Sequence, residues 1–383
     1  MIRPPCRFAR NYSLNHFAVR EPDTPRSAMR RRKLWIALVV ALVATAIAVV
    51  VYLRSRAAPE AARLLPESDA VLFINLRLIR LTHVFGEAPP ISYDPDYERF
   101  VKETGFQFER DLDQSALAVH ASAAPASTDQ SFLDRARYSW IFIGRFDARR
   151  ATDYFKKLAG QTENYHDAVI YDIPHEGRTV RVVILGLDTV AVSNLPDASA
   201  IHQMIDKYRA AAWPGSGPSL VREHFRQVPL GSVAWGLASL PAQAPQRPSL
   251  VLPGGLEIPV RWLAGATIVA SARYLRALHL RVEALTRSEN DARGLLDMAN
   301  TFLLLLKSVD TSVTQGGTDA DVKAFFDSLK IEQHGSRVAL TATIPQGFIR
   351  KALTPQPVPP APSQPPSPQA PATPPGKKHK SRR

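Results

Sequence analysis

Histidines and carboxylates gather in one short stretch of this 383-residue chain, where His166, Asp167, Asp172, His175 and Glu176 fall within eleven residues. Imidazole nitrogens and carboxylate oxygens are ligands for divalent metals, so the stretch could hold an ion if its flanking turns fold back on one another. His166, Asp172 and His175 are the candidate ligands on that reading. Against it, the five residues bracket a strand pattern, and strand ends and turns ordinarily carry solvated polar groups. No metal and no cofactor is expected. A second group, Glu109, Asp111 and Asp113, offers paired carboxylates, which serve acid–base chemistry only in a cleft that shifts one pKa. His120, His202, His224, His279 and His334 stand alone in the sequence and read as surface or hydrogen-bonded structural residues.

The usual catalytic signatures are absent: there is no GxxxxGKS/T, HExxH, GxSxG or glycine-rich dinucleotide fingerprint. Cys6 is the single cysteine, so an intramolecular disulfide is impossible and the part beyond the apolar run has neither a thiol nucleophile nor a cysteine-bound zinc. Cys6 itself reads as incidental.

The elements that position these residues follow from period and punctuation. Val71–Leu76, Ser115–Ala121 and Ser139–Phe146 read as strands, and Tyr97–Thr104 as a helix closed by Gly105. Asp147 is placed to cap a helix over Ala148–Ala159. Three strands, Ala168–Ile173, Thr179–Leu185 and Thr189–Ser193, precede a helix from Pro196 to about Ala210. Beyond a turn-rich stretch come a short helix near Leu220–Gln227, a strand at Ser232–Ser239, and a hairpin of Ala266–Ala272 with Ala277–Ala284. Ser288 with Asp291, and Thr318 with Asp321, form capping-box-like starts for helices to Lys307 and over Val322–Asp327. A hairpin, Lys330–Gln333 with Arg337–Ile344, and a helix near Phe348–Leu353 close the pattern. Strand–strand–helix units thus recur about four times. The expected fold class is α+β, an antiparallel sheet with helices packed on one face. The expected domain spans 64–353, with a subdomain boundary near 211–219. Pro241–Pro259 carries five prolines in nineteen residues and reads as a covering strap, with a lid or docking arm as the alternative.

Upstream lies Leu34–Leu53, twenty residues without a charge. A helix of that length spans roughly 30 Å, the hydrocarbon thickness of a bilayer. Trp35 and Tyr52 mark its two ends, beside Leu34 and Leu53, as interfacial rings do. Arg30, Arg31, Arg32 and Lys33 stop it abruptly and predict a cytoplasmic N-terminus, placing the bulk of the chain outside an inner membrane. Met29 directly precedes this cluster and is a candidate initiator. Ala44-Thr45-Ala46 resembles a cleavage site, but the apolar run continues to Leu53, which favours an uncleaved anchor. Ala37, Ala41, Ala44 and Ala48 share one helical face, the small-residue spacing of a self-associating homodimer helix.

The net charge of +13 belongs to the ends of the chain. Residues 1–33 carry nine basic side chains against two acids, 354–383 carry five against none, and 64–353 carry 31 against 32. A nucleic-acid-binding domain would concentrate its positive charge on the folded part, so no nucleic acid is expected. Residues 354–376 hold eleven prolines and predict a polyproline-like spacer. It ends in Lys377, Lys378, Lys380, Arg382 and Arg383, a tip suited to an anionic envelope polymer or lipid surface, or a solubilising tail.

Several short segments resemble a group of uncharacterised bacterial single-pass membrane proteins with an exported α+β domain. They are Leu65–Leu72 (LPESDAVL), Thr104-Gly105-Phe106 with Arg110–Asp113, Gly144–Asp147 (GRFD) and Tyr165–Ile173, where Asp167 replaces a usual glycine. The resemblance spans about 64–350. It implies the same location and fold class and no particular activity. The leading expectation is a non-enzymatic, membrane-anchored envelope protein that binds or scaffolds through its exported domain. The alternatives are an envelope hydrolase or metal enzyme built on His166–Glu176, and a lipid-handling domain lidded by Pro241–Pro259.

Overall fold

The computed structural model describes residues 38–46, 48, 57–82, 94–120, 137–211, 215–240, 249–251, 257–259, 263–313 and 320–353. The chain divides into two units, Met1–Arg56 and Ala57–Arg383. In the first, residues 38–46 and 48 are helical, with Ala41, Ala44 and Ala48 exposed. Thr45 Oγ1 donates to the Ala41 carbonyl at 2.8 Å, as a hydroxyl inside a helix commonly does. The remainder of the apolar run, including Leu34, Trp35, Ala37, Tyr52 and Leu53, lies outside the described residues, as do the flanking cluster 30–33 and the basic tip 377–383. Among the described residues no helix is long and apolar enough to cross a membrane.

The second unit is built outward from β1 (Ala70–Asn75), whose sequence AVLFIN sends alternate side chains to opposite faces. Val71 and Phe73 are buried on one face, while Leu72 and Ile74 are exposed on the other. The next strands are β2 (Leu112–His120) and β3 (Arg137–Gly144). A meander follows: β4 (Gln161–Tyr165), β5 (Ala168–His175), β6 (Arg178–Leu185) and β7 (Thr189–Ser193). The C-terminal strands are β8 (Ala234–Ser239), β11 (Thr267–Leu275), β12 (Ala277–Leu285), β13 (Lys330–His334) and β14 (Arg337–Ile344). Between β8 and β11, β9 (Ser249–Val251) and β10 (Glu257–Pro259) pair as a separate hairpin, the described part of the Pro241–Pro259 stretch.

Twelve strands make one sheet in the order β13-β14-β12-β11-β8-β1-β2-β3-β7-β6-β5-β4, and every pairing is antiparallel. The order contains a duplication. Counting outward from the central β1–β8 pair, the first half runs β1-β2-β3-β7-β6 and the second β8-β11-β12-β14-β13. Each is a three-strand meander that returns to place its last strand beside the third, with the preceding strand outside it. β4 and β5 extend the first half only. The recurring units read from sequence are therefore two long repeats, and the sheet passes unbroken through both.

Helices cover both faces of the first half, which corrects the expectation of a single covered face. On the face of Val71, Phe73 and Ile141 lie α1 (Glu60–Leu64), α6 (Ser199–Arg209) and α7 (Ser219–His224), with Leu64, Ile201, Met204 and Ile205 inside the same buried cluster. On the opposite face, α3 (Pro95–Thr104), α4 (Phe108–Asp111) and α5 (Ala148–Leu158) meet Phe142, Val182, Val190 and Val192 around an apolar cavity of about 170 Å³. The short α2 (Leu76–Thr82) follows β1. Strands such as Arg137–Gly144 are apolar at consecutive positions (WIFI), and that pattern requires cover on both sides.

Local signals set the ends of these helices. Asp94 accepts from the Asp96 amide at 2.8 Å, and Gly105 stops α3 with φ +74°, donating back to the Val101 carbonyl. Asp147 accepts from the Arg149 and Arg150 amides, both at 3.1 Å, to start α5. In the second half, Ser288 accepts from the Asp291 amide at 3.1 Å and bonds its carboxylate at 2.8 Å. This opens α8 (Glu289–Val313). α8 places Ala292 and Leu295 against Ala284 and Val338, on the sheet face that α5 covers in the first half. α9 (Ala320–Ser328) and α10 (Gln346–Leu353) join through Phe325 and Phe348, whose rings stack at 5.6 Å.

Candidate functional site

One register row crosses all twelve strands. From the β4 edge it reads Glu163, Ile170, Val183, Ala191, Ile141, Ala116, Phe73, then Trp235, Ser271, Arg281, Thr341 and Lys330. Phe73 and Trp235 stack at 5.2 Å where the two halves meet. On the first-half side of that pair the row is apolar from Ile170 to Phe73 and buried beneath α1 and α6. Beyond Trp235, each strand presents a polar or charged side chain instead.

The next row in the second half repeats the polarity: Arg273 faces His279, and His279 faces Thr343. Together the two rows floor a cleft of about 740 Å³, with Asp327 and Ser328 of α9 contributing at its side. Cleft volumes of roughly 300–1,000 Å³ are typical of ligand sites. In the first half, the helix that follows the last strand is α6, eleven residues with four of them buried. Its counterpart α10 has eight residues and joins α9 through Phe348. Among the described residues the floor between β11 and β13 therefore stays open.

The bonds within the cleft hold most of its side chains. Thr343 Oγ1 lies 3.3 Å from His279 Nδ1. Ser328 Oγ takes the Thr343 amide at 2.8 Å and donates to carbonyls of Phe325 and Thr343. Arg281 is clamped to Glu283 through both Nε and a terminal nitrogen, and Glu283 is buried. Arg273 stands apart from these: its Nε is buried and, among the described residues, no protein group accepts from it.

The residues singled out from sequence are dispersed. His166 and Asp167 form the tight β4–β5 turn, both with positive φ (45° and 65°), and Glu176 with Gly177 forms the β5–β6 turn in the same way. These turns cap opposite ends of the eight-residue β5, on the order of 25 Å apart, so His166 and His175 do not converge. Asp172 pairs with Arg181 at 3.6 Å, His166 lies 3.7 Å from Asp206, and Asp167 lies 3.5 Å from Arg209. Among the described residues no three His, Cys, Asp or Glu side chains group so as to hold a metal ion. Glu109 accepts from Tyr97, Asp113 pairs with Arg80, and Asp111 pairs with Arg110 and Arg145. The Arg110 hydrogen bonds hold the Asp111 carboxyl below the usual range. This acidic group braces the α4–β2 corner.

The histidines isolated in sequence acquire neighbours. His202 stacks on Tyr165 at 3.8 Å and lies 2.8 Å from Glu163, tying α6 to the sheet edge. His120 Nε2 lies 3.0 Å from Ser139 Oγ, a serine–histidine pair in form. Burial holds the His120 imidazole below its ordinary pKa, and Ser139 is wholly buried, so no substrate can approach its oxygen. The polar rows of β11–β14 did leave a trace in sequence. The patterns Ser271-x-Arg273, His279-x-Arg281-x-Glu283 and Thr341-x-Thr343 alternate polar with apolar as open-faced strands do.

No protein-family profile matches the chain, and no curated protein matches it. Among solved structures, crystal form III of TP0453 is similar at a TM-score of 0.41 and 10% identity, covering 77% of this chain and 97% of that one. Crystal form I gives 0.40 and 11%, over 77% and 98%. Crystal form IV gives 0.37 and 11%, over 76% and 96%.

Proposed function

We propose that this chain is a single-pass inner-membrane protein of the bacterial envelope whose exported domain binds a ligand in the β11–β14 cleft without transforming it. The carrying observation is the single sheet row that is apolar and helix-covered in one half and polar and open in the other. An antiparallel sheet can leave one face to solvent; here the polar face lines a cleft of about 740 Å³ beside a packed copy of the same topology, which supports a ligand there. The membrane part of the reading is supported by the uncharged run Leu34–Leu53 and the preceding basic cluster. The alanine face of that run supports a homodimer, and the basic tail supports contact with an anionic surface.

Two measurements test this. Membrane fractions washed at high pH should retain the chain, and external protease on spheroplasts should digest the domain while sparing the N-terminal peptides. Protein isolated from its native membranes should exchange β12 and β14 amides more slowly than protein refolded without small molecules. Identical exchange in both preparations would remove the binding reading.

A further inference from the structure

We propose that the cleft receives its ligand through a phosphate-type oxyanion, with the Arg273 guanidinium as the anchor. The proposal rests on the binding reading above and names the chemistry of the same site. Its starting point is the unmatched donor. Arg273 Nε is buried and, among the described residues, no protein acceptor reaches it and its terminal nitrogens make no hydrogen bond or ion pair either. A buried donor left unpaired costs about 1–3 kcal/mol; eight described side-chain atoms are of this kind, and Arg273 Nε is the one that lines the cleft, where a bound group can complete it. Guanidinium is the side chain best matched to that role, because its planar fork meets two oxygens of one anion at once.

The surroundings select the anion. Ser271 stands two residues back on the same strand, His279 is directly opposite Arg273, and Thr343 is opposite His279. Lys330 lies beyond Thr341 in the neighbouring row. Donors thus rise from four strands and approach from several directions. A tetrahedral group with three free oxygens can accept from all of them, whereas a carboxylate accepts in one plane. The acids nearby do not compete for Arg273: Glu283 is committed to Arg281, and Asp327 is exposed on α9 at the side of the cleft. The cleft's volume of about 740 Å³ far exceeds one phosphate, so the group belongs to a larger ester, either soluble or the headgroup of a lipid.

The test uses the full chain in a neutral detergent, titrated with glycerol 3-phosphate and, separately, mixed with vesicles of phosphatidylglycerol or of phosphatidylcholine. Saturable glycerol phosphate binding is expected, weakened at least tenfold by Arg273→Gln and less by Thr343→Val, with steep salt dependence. Because Arg273 holds no protein partner among the described residues, Arg273→Gln should melt within about two degrees of the wild type. If it does not fold, Lys330→Gln and Thr343→Val provide the same readout. Vesicle binding that also falls in Arg273→Gln assigns the ester to a lipid headgroup, and binding of the soluble ester alone assigns it to a free metabolite. Affinity unchanged by Arg273→Gln overturns the proposal. So does slow β12 and β14 exchange in native material that glycerol phosphate cannot reproduce in refolded protein, an outcome that leaves the cleft as a binding site for a different ligand.

Discussion

The two halves of the sheet share a strand order and differ in what covers one face. In the first half, Ile141 faces Ala191 across β3 and β7; at the matching place in the second half, Arg281 faces Thr341 across β12 and β14. The backbone arrangement is the same, and the chemistry is opposite. The difference follows from the helix after the last strand. α6 offers Ala200, Ile201, Met204 and Ile205 to the sheet, and an apolar row beneath it gains about 25 cal/mol for each Å² taken from water. α10 is shorter and engages α9, so a row of isoleucine and alanine beneath it would be left wet. A duplicated framework can thus keep one copy for stability and leave the other free for binding.

The largest test of this contrast is Ile141→Ala, which removes a fully buried side chain and should cost about 2–5 kcal/mol in thermal unfolding of the full chain. The matching Thr341→Val should change stability by less than about 0.5 kcal/mol, since its neighbours lie in an open cleft. Equal losses at the two positions would end the distinction.

A second test concerns Asp111, buried at the first-half corner and bonded to Arg110 and to the Gln107 amide. Asp111→Asn should cost about 1.5–3 kcal/mol at neutral pH, the range for hydrogen bonds to a charged group. Because Arg110 lowers the folded pKa of this carboxyl, its contribution is present above the ordinary value of about 4 and is lost as pH falls through the depressed one. Denaturation series should therefore show the wild type and variant separated above pH ~5 and converging in stronger acid. A gap that persists at low pH would mean the carboxylate charge is not what matters.

Smaller losses, at the helix caps, should be alike in both halves. α5 and α8 cover equivalent faces and start on side-chain caps, Asp147 and Ser288. Asp147→Ala and Ser288→Ala should each cost about 1 kcal/mol. A much larger loss in one would show that the helices do not support their halves equally.

Much of the architecture was legible because it depends on neighbours in sequence. Gly105, Asp147, Ser288 and the turn at His334-Gly335-Ser336 act over three or four residues, and the elements they bound lie within a few residues of the expected places. β4 was not anticipated, because Gln161–Tyr165 (QTENY) has no apolar alternation. Its polar sequence suits an edge strand, which must discourage pairing with other chains. The His166–Glu176 cluster misled for a related reason. Closeness along an extended strand is distance in space, and residues nine apart end at opposite ends of β5. The cleft stayed hidden because Arg273, His279, Thr343 and Lys330 meet only through pairings between strands up to about 60 residues apart in the chain.

The sequence by itself determined the apolar run, the charge at both ends, most of the strands of the sheet, and the caps that start the helices. Each is written in the period or spacing of a short segment. Only the tertiary structure decided that the strands form one duplicated sheet, that helices cover both faces of its first half, and that the second half keeps a polar floor open. Strand alternation states that two faces differ. Which of them is buried depends on the helix that reaches it, and that is fixed by packing across the whole domain.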